Sequence, residues 1–205
     1  MSAIYRNETG AYWNRYKSWM HDWAHPNLSG AIKGRECLDD AWDLQADIEF
    51  HQLADTPLSG VLLDYAKFFD MFDPNFAWQL MVTAGFPEDI AMQQTHLAAN
   101  IRRYLKAGGH YNAVLTDCNG VPQGCSLSLL VANLYVTVQF RMLQATIPDI
   151  RMGAVIDDRN LRHSSLGDML RGLRAVELFD QRAGHVIEAT KTVAWSTSVG
   201  CRAQL

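Results

Sequence analysis

Residues 60–70 read GVLLDYAKFFD, a short apolar run that ends in an aspartate. A run of this length and composition is typical of a strand that is buried on both faces. Asp64 follows the last apolar residue, so the strand would carry a carboxylate at its C-terminal end, where open α/β sheets place their ligands. The run therefore predicts a buried strand with a candidate functional residue at its end.

Two further stretches carry possible chemistry. Residues 120–128 read GVPQGCSLS and lead into the apolar segment Ser126–Gln144, which predicts a long helix. Residues 155–158 read VIDD, and they lie between predicted strands at Ile150–Ile156 and about Asn160–His163. Because aspartate tolerates turn conformations, the paired aspartates are expected at the tip of a tight hairpin.

Neighbouring strands would bring these carboxylates together. Asp64, Asp157 and Asp158 would repel one another without cations, and hard oxygen ligands favour Mg²⁺ or Mn²⁺. Two such ions about 4 Å apart can stabilise the attacking and leaving oxygens of an in-line phosphoryl transfer. This chemistry is typical of polymerases and nucleases. Paired aspartates alone are a weak signal, and we interpret Asp39-Asp40 as an ordinary helix face.

The rest of the chain predicts alternating helices and strands. Tryptophans 13, 19 and 23 stand at helical spacing and indicate core packing. Further helices are predicted at Glu36–Leu53, Asp73–Ala84, Glu88–Ala107 and 165–184, and further strands at His110–Thr116 and Thr192–Thr197.

Composition limits the class of protein. The chain has 205 residues, of which 48% are hydrophobic and 20% charged, so it is expected to fold as a globular unit. The net charge of −4 disfavours tight nucleic-acid binding by this chain alone. It does not exclude a polymerase-type site, since such sites concentrate carboxylates around metal ions.

The chain shows no sign of a membrane or a disulfide framework. No apolar run approaches the roughly 18 residues that cross a bilayer, and residues 1–10 do not resemble a secretory signal. We therefore expect a soluble intracellular protein, nuclear or cytoplasmic. Cys37, Cys118, Cys125 and Cys201 lack metal-binding spacing, so free thiols are expected.

Taken in order, the motifs resemble the palm motifs of reverse transcriptases, closest to those of non-LTR retrotransposons and group II introns. The matching stretches are DYAKFFD at 64–70, GVPQGCSLS at 120–128 with NLY at 133–135, VIDD at 155–158 and ATKT at 189–192. The resemblance implies an α+β polymerase palm, a ferredoxin-like antiparallel sheet backed by helices, with partial, mostly helical fingers and no thumb. It also implies fingers at 1–58 and a palm at 59–205, with 88–116 as a fingers-like insertion.

The resemblance also assigns catalytic roles. Asp64 and Asp157 would be the principal ligands of two Mg²⁺ or Mn²⁺ ions, with Asp158 beside them and the carbonyl of Tyr65 as a further ligand. Lys191 would donate a proton to the pyrophosphate leaving group or offset its charge.

Five residues would contact the nucleotide, and Tyr65 beside the metal ions is one of them. Phe69 matches the aromatic residue against which the incoming sugar packs, and its bulk would exclude a 2′-hydroxyl. Gln123 and Gly124 match the loop near the nucleotide and template. Arg35 would lie near the nucleotide entrance, although the start of a solvated helix is an equal interpretation.

The chain departs from the family pattern in two places. Val155 stands where the family commonly has an aromatic residue, which predicts altered packing near the primer terminus. No counterpart of the basic upstream fingers precedes Ile4, and little chain follows the motif at 189–192. The expected protein is therefore a fragment that by itself binds divalent metal weakly and synthesises DNA poorly or not at all. It is also expected to expose apolar surface for missing segments, another chain or self-association.

The leading function is RNA-directed DNA polymerase, which acts on an RNA template, a DNA primer and deoxynucleoside triphosphates. The alternative is an inactive remnant that serves as an RNA- or protein-binding module. A metal-dependent nuclease on another fold would not require the loop at 120–124.

Overall fold

The computed structural model describes residues 3–100, 102, 104, 106–113, 120–122 and 124–205. Its helices are α1 Ala3–Tyr16, α2 Met20–Trp23, α3 Cys37–Leu53, α4 Phe68–Met71, α5 Pro74–Thr83, α6 Glu88–Ala99, α7 Ser126–Thr146, α8 Leu166–Ala183 and α9 Val199–Arg202. Its strands are β1 Ser59–Leu63, β2 Lys106–Ala107, β3 His110–Tyr111, β4 Arg151–Val155, β5 Asp158–His163 and β6 Val193–Ser196.

The main sheet has the strand order β4-β5-β1-β6, and every neighbouring pair is antiparallel. Helices separate β1 from β4 and β5 from β6, so the chain follows a βαββαβ path. Helices α7 and α8 pack together, and α8 packs against β1 and β5. The predicted ferredoxin-like sheet backed by helices is therefore confirmed.

Strand β1 is not buried on both faces as predicted. Val61 and Leu63 are buried, whereas 40% of the surface of Leu62 is exposed. The side chains of a strand alternate between faces, and α3 on the opposite face packs against β4 rather than β1. The apolar run did not show alternation because the exposed position is also a leucine.

Helix α7 forms the centre of the core. Leu130, Tyr135 and Phe140 are among its fully buried side chains. The helix is also long and apolar enough, by composition alone, to cross a membrane, which corrects the expectation that no segment would qualify. About 72% of its most apolar window is buried inside the protein, so core packing explains its apolar character.

The predicted helix at Glu88–Ala107 is wrong in its second half. Helix α6 ends at Ala99, and β2 and β3 form a separate antiparallel hairpin. The turn residues Gly108 and Gly109 have positive φ angles of 56° and 83°. A two-residue hairpin turn favours this conformation at both positions, and glycine adopts it without steric cost. The predicted strand His110–Thr116 ends at Tyr111, and residues 114–116 lie outside the described part.

The other helices agree with their sequence signals. Helix α5 begins at a proline, and the Asp73 side chain accepts hydrogen bonds from the amides of Asn75 and Phe76, as an N-cap does. The tryptophans at 13, 19 and 23 are partly buried against the core, as predicted. The proposed fingers–palm boundary at 58 falls in the connection between α3 and β1 and stays a prediction.

A buried histidine makes stability depend on pH. His185 packs against the rings of Phe68, Phe72 and Tyr135 and is almost fully buried. Burial, with a smaller contribution from the Arg159 charge, lowers the pKa of His185 to about 4.

We expect the protein to lose stability as the pH falls from about 6.5 towards 4. In this window the unfolded histidine binds a proton and the folded one does not, which costs up to about 1.4 kcal/mol per pH unit. The free energy of unfolding, measured with urea at several pH values, should fall less steeply with decreasing pH in His185→Phe than in the wild type. The same dependence of unfolding free energy on pH in the two proteins would contradict a lowered pKa for His185.

Candidate active site

A tight hairpin presents the paired aspartates. Val155 pairs with Asp158, so Ile156 and Asp157 are the two turn residues between β4 and β5. Ile156 has a φ angle of +61°, which is rare for a β-branched residue. Such strain persists only where the surrounding structure holds the backbone in place.

The segment at residues 27–30 supplies that support. Ser29 donates its amide hydrogen to the carbonyl of Ala154 at 2.9 Å, and Ala154 donates to the carbonyl of Asn27 at 3.1 Å. Asn133 of α7 donates a side-chain hydrogen bond to the carbonyl of Gly30 at 3.0 Å. A Cβ atom on Gly30 would lie 2.7 Å from the amide nitrogen of Ile156. The hairpin tip therefore rests directly on the backbone of Gly30.

We expect Gly30→Ala to lower the free energy of unfolding by about 1–3 kcal/mol, the usual cost of overpacking. The added methyl group meets backbone, which cannot move away as a flexible side chain can. Gly10→Ala is the matched control, because a Cβ on Gly10 of α1 has no neighbour within 4 Å in the described part of the chain. That change should stabilise the helix by up to about 1 kcal/mol. Similar unfolding midpoints for the two variants would refute the close contact.

Asp64 follows β1 and is held by the segment that carries Lys191. The amide of Glu188 donates to the carbonyl of Asp64 at 2.9 Å, and the amide of Asp64 donates to the hydroxyl of Thr192 at 3.4 Å. The Lys191 ammonium lies 3.7 Å from a carboxylate oxygen of Asp64, with 67% of its side chain exposed. The structure thus places Lys191, which the resemblance assigns to the active site, close to Asp64.

The carboxylates of Asp64, Asp157 and Asp158 interact electrostatically. The pKa of Asp158 is raised, first by partial burial and then by the negative charges of Asp157 and Asp64. Three carboxylates from the ends of β1 and β5 therefore share one region of negative potential. A cation at this position would relieve their mutual repulsion.

The donor set suits a hard divalent cation. Tyr65 and Ile187 face each other as a non-hydrogen-bonded antiparallel pair. The backbone groups of Tyr65 therefore point away from Ile187, and its carbonyl faces the β5 side of β1. Carboxylate and carbonyl oxygens are the ligands that Mg²⁺ prefers, and Mg²⁺ is commonly held by one or two carboxylates plus substrate phosphates. Within the described ranges, no three His, Cys, Asp or Glu residues form a ready-made ligand cluster.

A cavity of about 370 Å³, which we call the carboxylate cleft, lies between α3 and the sheet. Its lining includes Asp64, Asp158 and Lys191. It also includes Asp40, for which the sequence alone predicts only an ordinary helix face. Asn160 donates to the Asp40 carboxylate at 2.9 Å, and partial burial raises the pKa of Asp40. No sequence signal connects Asp40 with Asn160, 120 residues away.

A second cavity of about 530 Å³, which we call the Phe69 cleft, opens on the other side of the hairpin tip. Phe69, Gly124 and Asp157 line it, together with the first turn of α7. The amide of Val121 donates to the carbonyl of Phe69 at 2.9 Å, which joins the loop at 120–124 to α4. Gly120 has a φ of +106° and touches the backbone of Asp70, a contact that only glycine permits.

One predicted nucleotide contact stands apart from this group. Arg35 lines neither cleft, and its guanidinium donates to the carbonyls of His25 and Leu28 at 2.6 and 2.9 Å. These bonds describe a residue that holds the loop before α3. Gln123 lies outside the described residues.

Sequence reasoning also missed a buried charged cluster beneath the site. Tyr65, Tyr135 and Gln139 donate hydrogen bonds to the Asp180 carboxylate at 2.8, 2.5 and 2.8 Å. Arg159 donates to the hydroxyl of Tyr65 and to the side-chain oxygen of Gln139, each at 2.8 Å. The only sequence signal was an arginine directly after paired aspartates in an otherwise buried strand.

Comparison with known proteins agrees with these features. The family model described as reverse transcriptase (RNA-dependent DNA polymerase) matches residues 4–202. The Transposon TX1 uncharacterized 149 kDa protein of Xenopus laevis is 24% identical over 98% of this chain, which spans 16% of that protein.

Solved telomerase structures share the fold. Telomerase from Candida tropicalis in complex with a fragment of telomeric RNA superposes with a TM-score of 0.67 at 14% identity, over 94% of this chain and 34% of that one. The apo telomerase gives 0.67 at 14% identity, over 95% and 37%. With a family match across nearly its whole length and a palm fold that carries the motifs in order, this chain belongs to the reverse transcriptase family.

Proposed function

We propose that this chain carries the polymerase centre of an RNA-directed DNA polymerase and transfers nucleotides from deoxynucleoside triphosphates to a primer 3′-hydroxyl. The observation that carries the proposal is the proximity of three carboxylates. Besides partial burial, the charges of Asp157, in the hairpin turn, and of Asp64, which follows β1, both raise the pKa of Asp158 at the start of β5. The chain spans 16% of the transposon protein and 34–41% of the telomerase chains that it matches. The activity is therefore proposed for this domain.

The carboxylates suit a transfer between two oxygens. Asp64, Asp157 and the Tyr65 carbonyl would hold two Mg²⁺ or Mn²⁺ ions, with Asp158 adding negative charge beside them. Bound divalent cations would activate the attacking hydroxyl and neutralise charge on the leaving group. The primer 3′-oxygen would form a bond to the α-phosphorus while the bond to the β-phosphate oxygen breaks.

Lys191 is suited to assist departure of the pyrophosphate. Its ammonium group lies beside Asp64 and is largely exposed, so it can swing towards a bound triphosphate. There it would donate a proton to the leaving pyrophosphate or offset its charge.

The Phe69 cleft is suited to the incoming nucleotide. Phe69 forms one wall, and Gly124 leaves room for close approach of the sugar or base. The first turn of α7 lies in the same wall, and a helix N-terminus favours negatively charged groups. The RNA-bound telomerase with the same fold supports an RNA template as the partner, with a DNA primer paired to it.

Primer extension tests this proposal. The wild-type chain is incubated with a DNA primer on an RNA template, the four deoxynucleotides and Mg²⁺ or Mn²⁺, and single-nucleotide addition is followed on a gel. Extension that needs the metal and that disappears in Asp157→Asn is expected. If a folded wild-type chain shifts the RNA–DNA hybrid in a gel but never extends it, the polymerase proposal fails and an RNA-binding module takes its place.

We expect Phe69→Ala to weaken discrimination against ribonucleotides by about 10- to 100-fold, the range that shape differences in an apolar pocket provide. Removal of the ring leaves room for a 2′-hydroxyl. The measurement is the ratio of kcat/KM for a deoxynucleotide to that for the matching ribonucleotide. Phe179→Ala, a partly buried phenylalanine of α8 outside both clefts, is the control. An unchanged ratio in Phe69→Ala would remove Phe69 from the sugar contact.

A further inference from the structure

We infer that Asp180 is a positioning residue, which fixes the spacing of the active-site carboxylates through Tyr65 and Arg159. The inference rests on the proposed function, since it concerns how the same carboxylates are held. It assigns a role to a buried cluster of Tyr65, Tyr135, Gln139, Arg159 and Asp180, which we call the Asp180 cluster.

The cluster is connected to the active site by the two residues that directly follow active-site carboxylates in the chain. Tyr65 directly follows Asp64, and Arg159 directly follows Asp158. Their side chains point to the helix-covered face of the sheet, where the Tyr65 hydroxyl bonds to both Arg159 and Asp180. A change in the distance between these two side chains must therefore move the main chain beside the carboxylates.

Asp180 ties this pair to the helices. Its carboxylate accepts from Tyr65 of the sheet and from Tyr135 and Gln139 of α7, while Asp180 itself lies on α8. The Arg159 guanidinium lies 3.7 Å from the carboxylate and 4.1 Å from the centre of the Tyr65 ring. The cluster thus joins α7, α8, β5 and the end of β1 at one point.

Burial makes the geometry of the cluster strict. The side chains of Arg159 and Asp180 are 0% and 2% exposed. Two guanidinium nitrogens of Arg159, Nε and Nη2, have no hydrogen-bond partner among the residues that the structure describes. A buried ion pair with such unpaired donors contributes little net stability compared with apolar residues of the same size. What the pair does provide is directional bonds that hold α7, α8 and the two strands at defined distances.

Asp180→Asn tests the inference through metal binding, which does not require polymerase activity. Asparagine keeps the size of the side chain but removes the charge and replaces one acceptor oxygen with a donor. We expect the affinity for Mn²⁺, measured by electron paramagnetic resonance titration, to fall about 10-fold or more, the usual effect of changing groups that orient metal ligands.

Two further variants separate positioning from simple loss of stability. Met169→Ala removes a fully buried side chain 11 residues earlier on the same α8, so it should destabilise the fold while leaving Mn²⁺ affinity unchanged. Tyr135→Phe removes a single donor to Asp180 and keeps the ring packing, so it tests the same contact if Asp180→Asn does not fold. A smaller loss of Mn²⁺ affinity, about 3-fold, is expected for it.

The outcomes are distinct. Wild-type Mn²⁺ affinity in folded Asp180→Asn and Tyr135→Phe would overturn the positioning role and leave the proposed function intact. An equal loss of affinity in Met169→Ala would also overturn it, because the effect would follow stability. A wild-type chain that binds no Mn²⁺ would overturn both proposals.

Discussion

Asp64→Asn is expected to slow RNA-templated primer extension by about 10²- to 10³-fold, a loss of roughly 3–4 kcal/mol of transition-state stabilisation. The substitution keeps the shape of the side chain at the end of β1. It removes the negative charge that contributes to raising the pKa of Asp158 on the neighbouring strand. It also removes the carboxylate charge that lies 3.7 Å from the Lys191 ammonium. The rate of single-nucleotide addition under saturating nucleotide is the quantity to measure.

Asp149→Asn is the matched control for this experiment. Asp149 is exposed in the turn before β4, at the end of that strand opposite the hairpin tip. The same chemical change there should alter the rate by less than about 2-fold, since an exposed charge this far away is screened. If the two variants lose activity to the same extent, Asp64 has no special role.

Arg159→Met is expected to lower the free energy of unfolding by about 3–5 kcal/mol, because removing one partner leaves a charged carboxylate buried. Asp180 would keep its hydrogen bonds from Tyr65, Tyr135 and Gln139 but lose the cation beside it. Urea unfolding followed by tryptophan fluorescence measures the change.

Arg151→Met provides the comparison. Arg151 also pairs with an aspartate, Asp47, but 57% of its side chain is exposed, and Asp47 retains a bond from Arg162. Because Arg151 is largely exposed and the buried Asp47 keeps its bond from Arg162, the expected loss is about 0–1 kcal/mol. If Arg159→Met loses no more unfolding free energy than Arg151→Met, Arg159 and Asp180 do not form a buried ion pair.

Much of the fold could be predicted because its signals are local. The run before Asp64, the turn residues at the hairpin and the cap at Asp73 each lie within a few residues of the structure that they specify. The error at residues 88–107 also has a local cause, since an apparently helical run continued up to two glycines that in fact form a hairpin turn. In that segment the turn chemistry of Gly108-Gly109 outweighed the helical pattern.

The site could be predicted only in part. Asp64, Asp157, Asp158 and Lys191 follow from motifs, and the structure brings all four together. Other bonds join residues about 90 to 120 positions apart. They are the bond of Asn160 to Asp40 and the bonds of the Tyr65 hydroxyl with Arg159 and with Asp180. Nothing in the flanking sequence of either partner indicates the other.

By itself, the sequence determined the family, most of the order of the strands and helices, and which carboxylates are candidates for the chemistry, because these depend on residue types at short spacings. Only the tertiary structure decided which face of β1 is open, what supports the hairpin tip at Gly30 and how Asp180 connects to the site. These features depend on the packing of distant segments, and close packing lets a buried charge or a missing Cβ constrain residues far away in the chain.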